Sequence, residues 1–115
     1  MPTQVAIPAS PSTHVQPVTD EADFARHLAS AAQVLVKFTG AWCGPCRGLE
    51  PTLVALGRDR PELRVLSVDV DAHPVIAERF GVRAVPSLIA FRDGQPVGQI
   101  VGNVSRARID ALLAQ

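Results

Sequence analysis

"TGAWCGPCRG", Thr39–Gly48, contains both cysteines of the chain, with two residues between them and directly behind its only tryptophan. The stretch follows "VLVKF", Val34–Phe38, an apolar run rich in β-branched residues that predicts a strand covered on both faces. Beyond it, Leu49, Leu53 and Leu56 recur at helical spacing. The two cysteines are therefore predicted to lie at a turn from a buried strand into a helix.

The position of the cysteines indicates redox chemistry. At the start of a helix, unpaired backbone N–H groups and the positive end of the helix dipole stabilise a thiolate at Cys43. Cys46, nearly one turn later, can close onto Cys43 and displace whatever is disulfide-bonded to it. Gly44 leaves the backbone accessible, and Pro45 is tolerated in a first helical turn, where its missing N–H has no intrahelical partner. One cysteine is expected to attack and the other to resolve.

Two other uses of the pair are possible: two small buried side chains, or half of a zinc site. A structural zinc site needs four ligands, and His14, His27 and His73 lie at spacings that form no recognised ligand pair. A Cys-x-x-Cys loop is also too short to staple a fold. No metal site is predicted.

Composition limits the classes of function. The chain has 115 residues, enough for one domain with one core, and 47% of them are hydrophobic. Eleven basic residues balance eleven acidic ones, and no basic cluster is paired with aromatics, which argues against nucleic-acid binding. The apolar runs are much shorter than the roughly 20 residues that span a bilayer, so no membrane-spanning helix is expected.

The start of the chain differs from the rest. Residues 1–14 carry three prolines among Ser, Thr and Ala, which predicts a flexible extension before a folded domain at 15–115. The first 17 residues have neither a basic n-region nor a continuous apolar h-region, so no secretory signal is predicted and a cytoplasmic location is expected.

The remaining pattern predicts an α/β fold. Asp93-Gly94 indicates a tight hairpin between the last two strands, and Ser105 caps a final helix. Pro51 predicts a bend or break in the helix after the cysteines. The other predicted elements are a weak strand at 15–18, a helix at about 20–32, a strand at 64–70 and a helix at 73–81 with His73 as its cap. The order β-α-β-α-β-α-β-β-α describes a central mixed sheet of four to five strands flanked by four helices on both faces.

Several of these motifs together resemble the thioredoxin family. They are "WCGPC" after an apolar strand, Pro51 five residues beyond Cys46, "VPS" at Val85–Ser87, the Asp93-Gly94 hairpin and "VGNVS" at Val101–Ser105. The resemblance covers the chain from about Val18 to Gln115 and implies the thioredoxin fold.

The resemblance also implies residue roles in a protein-disulfide oxidoreductase. Cys43 corresponds to the exposed nucleophile and Cys46 to the buried resolving thiol, with Trp42 shielding the pair. Pro86 corresponds to a cis proline that leaves the backbone of Val85 free to pair with an extended substrate. Trans is the commoner state of an X-Pro bond, but beside this cysteine motif cis is expected. The implied docking surface comprises Trp42, Val85, Pro86, Val101, Gly102 and Asn103.

The same resemblance implies how the protein is supplied with electrons. No bound cofactor is expected beyond a redox-active Cys43–Cys46 disulfide. Electrons are expected to come from NADPH through a flavoprotein thioredoxin reductase and to go to protein disulfides. A monomer is the state that the resemblance implies.

The chain departs from the family pattern at three positions. Thioredoxins usually hold a buried aspartate in the central strand, and Lys37 stands there. Ser67 replaces a lysine on the neighbouring strand that pairs with this acid in many members, and Thr39 replaces a second tryptophan.

Lys37 can be accommodated in several ways, because a buried ammonium must reach water, pair with an acid or lose its proton. Reaching solvent as a tolerated residue is slightly favoured. Near the thiols it would instead favour the Cys46 thiolate and make the couple more oxidising, or accept a proton as the neutral amine. The alternative functions are an oxidoreductase with a dedicated client and a binding module whose thiols are incidental.

Overall fold

A computed structural model of the protein describes residues 14–115, so the extension predicted at 1–14 lies, apart from His14, outside the described residues. Nine elements follow one another in the predicted order. They are β1 (Gln16–Pro17), α1 (Glu21–Ala29), β2 (Gln33–Thr39), α2 (Gly44–Asp59), β3 (Arg64–Asp69), α3 (Pro74–Arg79), β4 (Ser87–Arg92), β5 (Gln95–Val101) and α4 (Arg106–Leu113). None of the helices in this part of the chain is long and apolar enough to span a bilayer.

The five strands form one mixed sheet in the order β1-β3-β2-β4-β5. The β1–β3 and β3–β2 pairs are parallel, whereas β2–β4 and β4–β5 are antiparallel. The predicted mixed sheet is therefore confirmed, with β2 at its centre. The strand that leads to the cysteines is thus held by a hydrogen-bonded neighbour on each side.

Alternate residues of β2 serve two separate cores, as the period of a strand requires. Leu35 packs against Leu49 and other apolar residues of α2 and α4 on one face of the sheet. Val36 and Phe38 pack with apolar residues of α1 and α3 on the other face. Helices on both faces explain why β2 is apolar along nearly its whole length.

Several predicted boundaries require correction. Helix α1 ends at Ala29 rather than near residue 32. The break expected at Pro51 does not occur, since α2 runs unbroken from Gly44 to Asp59. Proline inside a helix costs about 3 kcal/mol, but Leu49 and Leu53, on either side of Pro51, are fully buried and hold both halves of α2 on the sheet. His73 occupies the cap position of α3, but its side chain makes no capping hydrogen bond.

The hairpin and the final helix agree with the sequence. Asp93 and Gly94 have φ angles of 51° and 81°, the left-handed pair that a two-residue turn of this type needs. The Ser105 hydroxyl accepts a hydrogen bond from the Arg108 N–H, and α4 begins at the next residue after this cap.

Candidate active site

The two cysteines lie where β2 passes into α2 and form a disulfide. Cys43 is the N-cap of α2, and its Sγ accepts a hydrogen bond from the backbone N–H of Cys46 at 3.1 Å. Pro45 lies in the first turn, as expected, where no N–H is missed. A Cβ at Gly44 would meet no atom within 4 Å, so this side of the turn faces open space. The predicted strand-to-helix turn is present.

The expected exposure of Cys43 is not found in this disulfide form. Cys43 is 3% exposed and Cys46 is 1% exposed. The reason is local: the disulfide and the N–H of Cys46 hold the Cys43 sulfur over the first turn of α2, leaving little of it at the surface.

Trp42 lies beside the pair and is 66% exposed. Its indole Nε1 donates a hydrogen bond to a carboxylate oxygen of Asp71 at 2.7 Å. A Cβ on Gly40 would lie 2.8 Å from the indole Cε2, so only glycine lets the ring lie this close to the backbone. Asp71 and Gly40 therefore position the ring, and neither was predicted. The Asp71 contact spans 29 residues of chain, which no local sequence pattern reveals.

The predicted docking residues lie at the same edge of the sheet as the cysteines. The Val85–Pro86 bond is cis, as expected. Pro86 precedes β4, and Ser87 pairs with Phe38 near the end of β2 and with Val101 on β5. The Gly102 N–H donates to the Pro86 carbonyl at 2.8 Å, which ties the two loops together.

Pro86 is buried, but the exposures of the other predicted docking residues suit a contact surface. Val101 is 55% exposed, Asn103 is exposed, and Val85 and Gly102 are half-buried. Asn103 also approaches α2, because a Cβ on Gly48 would lie 2.9 Å from its Nδ2. Trp42 and Val101 are thus two large apolar side chains that are exposed on this part of the molecule.

Lys37 does not reach solvent, so the favoured expectation for it is wrong. Its side chain is only 5% exposed, and its ammonium forms an ion pair and hydrogen bond with the Glu50 carboxylate. Lys37 faces Ser67 across the β2–β3 pair, so the neighbouring strand offers no charge at that position. The counter-charge comes instead from α2.

A cavity of about 500 Å³ lies beside this ion pair. Its lining includes Lys37, Thr39, Cys46, Arg47 and Glu50. Lys37 therefore lines the same cavity as Cys46, as one alternative expected. Glu50 was missed by the sequence analysis, although its spacing of four residues from Cys46 was the available signal. Among residues 14–115 no group of three or more His, Cys, Asp or Glu is placed to hold a metal ion.

Comparisons with known proteins agree on one family. A sequence model of that family, described as Thioredoxin, matches residues 14–115. The protein named Thioredoxin in Chlamydia muridarum is 45% identical over 85 residues, which are 74% of this chain and 82% of the relative. A bifunctional thioredoxin reductase/thioredoxin of Mycobacterium leprae is 42% identical over 93 residues, 80% of this chain and 20% of that protein.

A solved structure shows the same architecture. A single-residue mutant of thioredoxin from Halobacterium salinarum superimposes with a TM-score of 0.82 at 32% sequence identity and covers 92% of each chain. The sheet, the helices and the cysteine turn therefore form a thioredoxin fold.

Proposed function

The chain belongs to the thioredoxin family and is a dithiol/disulfide oxidoreductase, and from that premise we propose that Cys43 is the attacking thiol and Cys46 the resolving thiol. The observation that carries this assignment is the cap geometry. Cys43 Sγ lies at the N-terminus of α2 and accepts the Cys46 N–H, an environment that stabilises a thiolate at Cys43.

The proposed cycle starts from the reduced protein, in which Cys43 and Cys46 are free thiols, and oxidises it. The Cys43 thiolate attacks a protein disulfide, forming a mixed disulfide and releasing one substrate thiolate. Cys46 then attacks Cys43 Sγ, which releases the second substrate thiolate and leaves the Cys43–Cys46 disulfide seen in the structure. The substrate gains two electrons, and the protein loses them.

The proposed substrate surface is the one formed by Trp42, Val85, Pro86, Val101, Gly102 and Asn103. An exposed apolar surface beside a reactive sulfur suits another protein as substrate. The backbone of Val85 lies just before β4, outside the strand itself, and we propose that an extended peptide pairs with it there.

For regeneration, we propose NADPH-dependent reduction by a flavoprotein thioredoxin reductase. The Mycobacterium leprae relative carries both activities in its name, which supports this pairing. We further propose that the protein works as a monomer in the cytoplasm.

The experiment is reduction of insulin disulfides by the dithiothreitol-reduced protein, with Cys43→Ser and Cys46→Ser compared. Cys43→Ser is expected to abolish turnover, and Cys46→Ser to accumulate a mixed disulfide that is visible on a non-reducing gel. A mixed disulfide that forms in Cys43→Ser instead would reverse the two roles.

A more oxidising couple is a second candidate, and the buried Lys37 ammonium favours it. A cation lining the same cavity as Cys46 stabilises the Cys46 thiolate and hence the dithiol form. Such a protein would exchange disulfides at a higher potential than a general reductase.

A further inference from the structure

The cavity lined by Cys46 contains the groups needed to move a proton. Its volume of about 500 Å³ has room for several water molecules. Cys46 forms part of its wall although the residue is only 1% exposed at the surface. Lys37, Arg47 and Glu50 supply the charged groups of the lining.

The resolving step needs a proton acceptor. A thiol attacks as its thiolate, and a buried thiol favours its neutral form. Arg47 holds its proton under all ordinary conditions, and the Lys37 ammonium is stabilised by its ion pair. Glu50 is the one acidic residue in the described lining of the cavity.

Helix α2 places the Glu50 carboxylate on the same face as Cys46. Cys46 and Glu50 are four residues apart on α2, a spacing that brings two side chains to the same face about 5–6 Å apart at Cβ. The Glu50 side chain is 41% exposed, whereas that of Lys37 is 5% exposed. Glu50 thus contacts both the buried side of the cavity and bulk water, to which a proton can be passed.

We propose that Glu50 accepts the Cys46 proton during resolution, through water in the cavity, and that Lys37 is a positioning residue that holds the carboxylate there. This inference rests on the proposed roles of the two cysteines. The Cys46 S–H gives its proton to Glu50, and the thiolate attacks Cys43 Sγ. The bond between Cys43 and the substrate sulfur breaks, the Cys43–Cys46 bond forms, and the departing substrate thiolate takes up a proton from Glu50 or water.

The test separates the two steps with 5,5′-dithiobis(2-nitrobenzoate) in a stopped-flow instrument. Attack by Cys43 releases a first nitrothiolate at a rate proportional to reagent concentration, and resolution by Cys46 releases a second at a rate independent of it. Glu50→Gln is expected to leave the rate of the first phase within about twofold of wild type and to slow the second phase at least about tenfold at neutral pH. This slowing should become smaller at higher pH, where hydroxide takes the proton in place of the carboxylate.

Glu62→Gln is the matched control, because it makes the same charge change at an exposed ion pair with Arg60. It should leave both phases unchanged. Lys37→Met, which keeps the carboxylate, should slow the second phase less than Glu50→Gln does. If Glu50→Gln folds poorly, the double variant Lys37→Met/Glu50→Gln removes both charges of the pair and should show the same slow second phase.

Three results would overturn the proposal: a wild-type second phase in Glu50→Gln, equal slowing of both phases, or a slower second phase in Lys37→Met than in Glu50→Gln. The last would assign the proton to Lys37. Failure of the cysteine roles themselves is distinguishable, because the mixed disulfide would then accumulate in Cys43→Ser rather than in Cys46→Ser.

Discussion

The Trp42 indole and the Asp71 carboxylate are joined by a hydrogen bond of 2.7 Å beside the cysteine pair. Since the ring is 66% exposed, this bond and the contact with Gly40 are what orient it. Asp71→Ala is expected to free the ring and raise KM for insulin by about fivefold, which corresponds to the loss of about 1 kcal/mol. Asp71→Asn, which keeps an acceptor oxygen, should remain near wild type. An unchanged KM in Asp71→Ala would mean that ring orientation does not matter for binding.

A substitution that introduces a charged side chain tests the proposed docking surface. Val101→Asp places a carboxylate on an exposed apolar position and is expected to lower kcat/KM for insulin about tenfold, while the small aromatic disulfide reagent reacts normally. Gln95→Asp adds the same charge at the far end of the same strand, β5, and should have no effect. Equal losses with both substrates would indicate damage to the cysteine turn instead.

Lys37 and Glu50 are expected to contribute unequally to stability. Glu50→Gln leaves a buried ammonium without its counter-charge and should lower the free energy of unfolding by about 2 kcal/mol, reduced from the usual range because water reaches Glu50. Lys37→Met should change it by less than about 1 kcal/mol, since a half-exposed carboxylate can be hydrated. Urea unfolding of the oxidised proteins measures both changes in the free energy of unfolding. The double variant Lys37→Met/Glu50→Gln completes a double-mutant cycle. A larger loss in Lys37→Met would contradict this order.

The second candidate function predicts a shift in reduction potential. Lys37→Met removes the cation beside Cys46 and is expected to make the couple about tenfold harder to reduce, a change of about −30 mV for two electrons. Equilibration with glutathione and thiol trapping measures it. If the potential does not move, the ion pair with Glu50 cancels the influence of Lys37 on the thiols.

Low pH should weaken a stabilising hydrogen bond at the start of α1. The Thr19 N–H donates to the Asp23 carboxylate at 3.0 Å, and this hydrogen bond holds the pKa of Asp23 below its ordinary value of 3.8. Because the folded pKa is the lower one, the contribution is complete above about pH 4 and is lost as the pH falls through the folded value. The stability difference between wild type and Asp23→Asn should therefore shrink below pH 4 in urea unfolding. A difference that grows on acidification would contradict the assignment.

Most of the fold follows from local sequence patterns. The β2 run, the Asp93-Gly94 turn and the Ser105 cap each depend on neighbouring residues alone, and the structure contains all three. The break expected at Pro51 is absent for the opposite reason: the burial of Leu49 and Leu53 outweighs the local cost of proline, and burial is a property of the whole fold.

The site was predictable in its chemistry but not in its electrostatics. The cysteine turn and the cis Val85–Pro86 bond follow from motifs. The partner of Lys37 does not, because a strand residue and a helix residue meet only once α2 packs on the sheet. Both the missed Glu50 and the missed Asp71 are acids brought in by tertiary contacts.

The unequal exposure of Lys37 and Glu50 also favours one order in which the pair can arise by mutation. A glutamate at position 50 lies on a half-exposed helix surface and is tolerated before any lysine is present, whereas a lysine at position 37 is buried from the moment it appears. A lineage that reaches this pair by single substitutions therefore loses less stability when the acid comes first. The same order applies to a laboratory graft: transplanting residue 50 before residue 37 avoids an intermediate with an unpaired buried ammonium.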